Sequence, residues 1–217
     1  QTRLVRSQVP ESLILLALGW LAGVLSPALI ESIRRHREAT HVLAAVKNEL
    51  NEVAFRLVLA SYRVQQHFGT ADREYLKWVQ GSLVLYQGSE PTENIRKFIE
   101  VQLSWSDAQL QQHLAAEAGK DEAAMNLPKF TLPYSDARVP GWHHIPPAVR
   151  IGLLAVQTDM NLINDAVELS RTYLSLTFQD LGSNHAPVVK NLQDAYVQYG
   201  KRCRIAAQRM HTLHALL

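Results

Sequence analysis

The sequence predicts an all-α protein: a single N-terminal transmembrane helix that continues into an elongated antiparallel helical bundle with coiled-coil-like heptad seams, interrupted by a helical insertion and a Pro-rich strap. Three observations carry this expectation. Residues 12–30 contain no charged side chain, three long segments repeat apolar residues at alternating spacings of three and four, and prolines gather between the first and second of those segments. Composition agrees. The chain is rich in Ala, Leu, Val, Gln, Glu and Arg, and its aromatic content is only 7%, which favours helix.

The totals also exclude some classes. With 217 residues the chain can build one sizeable core. Lys and Arg total 22 against 20 Asp and Glu, a net charge of +2. Such a balance does not support nucleic acid as a partner, because phosphate binding needs a surplus of cations. A lone cysteine, Cys203, leaves no internal disulfide framework.

The first element is SLILLALGWLAGVLSPALI, bracketed by Glu11 and Glu31. As a helix it is roughly 28 Å long, near the hydrocarbon thickness of a bilayer. A removable signal peptide would have a shorter apolar core and a small-x-small cleavage site, whereas here the run continues into a basic helix. A buried helix of a non-membrane protein is the other reading of the same residues. Gly19 and Gly23 form a G-x-x-x-G step, a helix-association feature that lets a second helix approach closely. Pro27 is expected to kink or loosen the last turn. Arg34, Arg35 and Arg37 follow the run, against Arg3 and Arg6 before it. The basic excess predicts a cytoplasmic C-terminal side, with the three arginines facing lipid headgroups.

The second element is a long helix over residues 31–67, which contains neither Pro nor Gly. Its seam is Leu43, Val46, Leu50, Val53, Leu57, Ala60 and Val64. The third and fourth elements repeat the period. Val149, Leu153, Val156, Met160, Ile163, Val167, Ser170 and Leu174 form one seam. Val189, Leu192, Tyr196, Tyr199, Cys203, Ala206, Met210, Leu213 and Leu217 form the other. The turn cluster FQDLGSNHAP separates them, so residues 148–217 should make an antiparallel hairpin that completes the bundle. The simplest arrangement is up-down-up, with all three stripes buried together and crossing near +20°. The first seam could instead pair with its copy in another subunit, giving a homo-oligomer through residues 12–66.

Residues 68–147 break the period. Asp72 should cap a helix from about Arg73 to Tyr86, Pro91 and Thr92 should open one to about Leu103, and Ser106 with Asp107 one through Ala118. Beyond lie Pro128, Pro133, Pro140, Pro146 and Pro147, which no continuous helix or central strand survives. Phe130, Tyr134 and Trp142 make this an aromatic segment, expected to be an ordered strap that carries the chain back to the next helix. Tyr134, Trp142 and His143 are candidate partner-binding residues.

Catalytic chemistry is sparse. There is no phosphate-cradling G-x-x-x-x-G-K-S/T, no G-x-G-x-x-G and no H-E-x-x-H. Cys203 falls on a seam, where a cysteine acts as a small hydrophobe. His211 and His214 are one turn apart but lack a third ligand, and a helix C-terminus favours their positive charge. No cofactor, metal or catalytic residue is expected. The function expected is a non-enzymatic membrane-anchored scaffold, adaptor or accessory subunit, its partners being the lipid bilayer and other protein subunits. The alternative is a membrane-linked sensor or effector whose helical domain signals through the transmembrane helix.

Overall fold

A computed structural model describes residues 11–118, 125–136, 145–180 and 182–217. Every regular element among them is helical: α1 (Glu11–His67), α2 (Arg73–Leu85), α3 (Glu93–Ser104), α4 (Asp107–Glu117), α5 (Pro133–Asp136), α6 (Pro147–Thr177) and α7 (His185–Leu216), with a 3₁₀ turn at Gly182–Asn184 before α7.

The transmembrane expectation is corrected. Among the described residues no helix is long and apolar enough to cross a membrane. Single-pass topology, membrane localisation and the cytoplasmic assignment of the C-terminal side fall with the span. Residues 12–30 are the start of a 57-residue helix. The side chains described in that stretch are Leu15, Leu16, Gly19, Trp20, Gly23, Ser26, Pro27, Leu29 and Ile30. Pro27 lies inside α1, which runs through it as one element.

From Val42 onward α1 enters a core. Val46, Leu50, Leu57, Ala60 and Val64 are buried, with Leu43 and Val53 half-buried. Burying a leucine side chain stabilises by roughly 1.5–3 kcal/mol, so a seam of this length is a strong organiser. The stripe is wider than a heptad seam, since Val42, Ala54, Phe55, Val58, Ser61 and Tyr62 are buried as well. A second layer causes this: α2 and α4 pack on another side of α1.

Helix α7 packs along both α1 and α6. A helix between two others must bury two faces. Tyr196, Tyr199, Cys203, Ala206, Met210 and Leu213 supply one, and the small residues Ala195, Gly200 and Ala207 widen it. On α6 the buried residues are Val149, Leu153, Val156, Met160, Ile163, Val167 and Ser170.

Directions follow from residue pairs. Ser61 donates to the Gly200 carbonyl at 2.9 Å, while Lys47 acts electrostatically on His214, so α1 and α7 are antiparallel. Gly152 faces Leu213 and Asp159 holds Arg209, so α6 and α7 are antiparallel. Hence α1 and α6 run in the same direction, which corrects the up-down-up order along the chain. The strap accounts for the difference. It meets α1 first beside Arg63 and then, seven or so residues later, at Glu49, descending the bundle before α6 begins.

The insertion is closed by local chemistry. Asp72 Oδ1 accepts from the Tyr75 amide at 2.7 Å, and Ser106 with Gln109 forms a capping box. Arg73 donates to Asp107 at 2.8 Å and to the carbonyls of Leu103 and Trp105, tying α2 to the end of α3. Gly69 ends α1 with φ of +62°, and a Cβ there would lie 2.9 Å from the Leu114 carbonyl oxygen. Both the left-handed backbone and the close approach of α4 require glycine.

Candidate interaction surface

The first part of α1 carries exposed apolar side chains among the described residues. No side chain described between Leu15 and His41 is buried. Leu16 is 73% exposed, Trp20 67% and Ile30 67%. An ideal Cβ on Gly19 or Gly23 would meet nothing within 4 Å. Their lack of a side chain therefore serves no contact within the described chain. The two glycines lie one turn apart on one face, which is the geometry that close helix approach uses.

The arginine cluster is largely self-compensated. Glu31 accepts from Arg34 at 2.7 Å and from Arg35 at 2.9 Å, and Arg34 also meets Glu38 at 3.7 Å. The two guanidiniums hold the Glu31 carboxyl below the usual range, the Arg35 hydrogen bond contributing most. Among the described residues Arg37 makes no ion pair.

Tyr134 is not part of this surface. It lies roughly 40 Å along α1 from Gly23, at the level of Glu49. The Glu49 carboxylate accepts from the Tyr134 amide at 2.6 Å, the Ser135 amide at 3.1 Å and the Ser135 hydroxyl at 2.7 Å. The Tyr134 side chain is half-buried against the core. Trp142 and His143, the other candidates on the strap, lie outside the described residues.

Further anchors hold residues 125–136. Asn164 on α6 forms two bonds with one residue of the strap, accepting from the Phe130 amide at 2.9 Å and donating to its carbonyl at 2.8 Å. Tyr199 donates to the Pro128 carbonyl at 2.9 Å. Glu49 and Asn164 were not singled out from the sequence. Each is a polar residue beside a seam, a position that normally signals solvent, and its partners are distant backbone groups.

Cys203, His211 and His214, all on α7, are at least partly buried. Cys203 is fully buried, and burial pushes its thiol up to about 12. A thiol so protonated is a poor nucleophile. Burial lowers both His211 and His214, with His214 also acting on His211 and Lys47 on His214. This opposes the favourable helix-terminus charge expected for them. Among the described residues no group of three His, Cys, Asp or Glu could hold a metal. No protein-family model, no curated protein and no solved structure matches this chain.

Proposed function

We propose that this protein is a non-enzymatic helical scaffold, in which residues 42–217 form the body and the first half of α1 is an association arm that pairs with a second copy. The observation carrying this reading is the unburied apolar surface of the arm on a helix whose continuation buries an apolar stripe in the core. Isolated helices are marginal in water, and apolar faces on them demand cover. Gly19 and Gly23 would be the points of closest approach, and the mixed charges of Glu31, Arg34, Arg35, Arg37 and Glu38 can form pairs between copies as well as within one.

Sedimentation velocity of the full chain tests it. The protein should be a dimer or larger oligomer at micromolar concentration. Leu16→Glu with Ile30→Glu should make it monomeric with its helical content retained, since within one chain both side chains are exposed. Gly19→Leu with Gly23→Leu should weaken the assembly by at least about tenfold by blocking close approach. A monomeric wild type, or an assembly indifferent to all four substitutions, overturns the reading.

A further inference from the structure

A recess of about 260 Å³ lies on the body of the bundle, far from the arm, between α1 and the strap. Arg56, Leu59, Ala60 and Arg63 line one wall, a single stripe of α1 at i, i+3, i+4 and i+7. Pro128, Lys129 and Phe130 line the other. Three cations thus surround an apolar floor in which Ala60 and Phe130 are themselves buried.

The cations differ in how firmly they are held. Arg56 meets Glu52 only at 4.0 Å, and Lys129 pairs with Glu168 at 2.5 Å on the surface. Exposed pairs of this kind contribute about 0–1 kcal/mol and exchange readily. Arg63 is exposed and makes no ion pair among the described residues. The strap wall is rigid by comparison, because the Pro128 carbonyl is bound by Tyr199 and both Phe130 backbone groups by Asn164. Lys129 stands between two anchored residues. A recess that combines an anchored apolar floor with one unpaired guanidinium and two cations in exchangeable surface pairs has the character of a ligand site, and its volume is just below the roughly 300–1,000 Å³ typical of such sites.

We propose that this recess binds a small organic monoanion with an apolar body, an aromatic or short-chain carboxylate. The carboxylate lies against Arg63, whose planar guanidinium can donate two parallel hydrogen bonds, with Lys129 and Arg56 as flanking charges. The apolar body covers Leu59, Ala60 and Phe130.

The test uses 2-naphthoate titrated into the full chain at neutral pH, followed by calorimetry and by amide chemical shifts. Two controls divide the chemistry: 2-naphthalenemethanol keeps the rings without charge, and inorganic phosphate keeps charge without the rings. Naphthoate should bind at least about tenfold more tightly than either, because neither part of the site suffices alone. The largest shifts should fall on Ala60 and Phe130. Arg63→Ala and Lys129→Ala should each weaken binding about fivefold or more. Both side chains are exposed, so unchanged thermal unfolding shows the fold intact. Lys190→Ala, an exposed cation on α7 that lines no part of the recess, should leave affinity unchanged. No naphthoate binding at millimolar concentration overturns the proposal. So does equal binding of the alcohol or of phosphate, or affinity unchanged in Arg63→Ala.

Discussion

Replacing Asn164 by alanine should unfasten the strap from α6 and destabilise the protein by about 2 kcal/mol. Asn164 makes two hydrogen bonds to Phe130, of 2.9 and 2.8 Å. A typical bond contributes about 1 kcal/mol net, and an unsatisfied buried partner costs about 1–3 kcal/mol. Phe130 is 7% exposed, so water reaches its amide and carbonyl poorly once the carboxamide is gone. The upper end is tempered by alanine's better helix propensity, worth up to about 0.7 kcal/mol on α6. For a chain of this size the net loss lowers the unfolding midpoint by about 4–8 °C. Urea denaturation followed by helical circular dichroism gives the free energy, and hydrogen exchange reads the Phe130 amide directly. Asp165→Ala, one exposed position along the helix, is the control and should stay within about 0.5 kcal/mol. A loss for Asn164→Ala no larger than the control, with Phe130 protection unchanged, would refute the assignment of the strap's anchor.

Two further perturbations probe the packing and its charge. Gly200→Ala sets a propensity gain of about 1 kcal/mol against overpacking of about 1–3 kcal/mol. The new Cβ would lie 2.9 Å from Val64 Cγ1 and 3.0 Å from Val64 Cβ, and Val64 is a β-branched residue with 1% exposure that cannot turn aside. Overpacking should win, so urea denaturation should show a net loss, and a more stable variant would show that α1 and α7 are not in such close contact. The histidine pair predicts acid sensitivity: His211 and His214 bind protons less readily folded than unfolded. As pH falls through 6.5, their ordinary value, the unfolded chain takes up protons that the folded imidazoles refuse, and stability falls. His211→Leu also removes an Nε2 that is buried without a partner. Its urea midpoint should drop less than wild type's between about pH 7.5 and about pH 5.5, and an equal or larger drop would exclude this origin.

Helix positions were legible because local chemistry writes them. Asp72, Ser106 and the Pro146-Pro147 pair each mark a start that α2, α4 and α6 adopt, and the α6 stripe from Val149 to Ser170 is the buried set. The reach of burial on α1 was not legible. Tyr62 is buried because it donates to Gln102 on α3 at 2.9 Å and accepts from Gln66 at 2.7 Å, and no period of three or four along α1 encodes a partner forty residues away. Helix direction was hidden for the same reason. A heptad seam specifies which residues face inward and nothing about which way the neighbour runs. That information sits in Glu49 and Asn164, two polar residues that choose where the strap descends.

The apolar run before Arg34 shows the same limit in reverse. A stretch that is apolar on most faces states that it needs cover, and it does not state what supplies it. Within one helix the chain presents both outcomes. From Val42 on, α1 packs against α7, α2, α5 and α4, and Glu52 accepts from the Tyr86 hydroxyl at 2.8 Å. Before that point nothing described in the chain covers Leu16, Trp20 or Ile30. The change falls beside a charged turn in which Glu31 and Glu38 pair with Arg34 and Arg35 while Arg37 makes no ion pair among the described residues. Those pairs reduce the repulsion that would separate two copies of the arm. Two glycines with open space above them then remove the steric obstacle as well. The arm's apolar surface and its charge pattern are therefore compatible with the same event, the approach of a second helix, and that is why substitution in the arm, rather than any change in the body, is the decisive test of the proposed assembly.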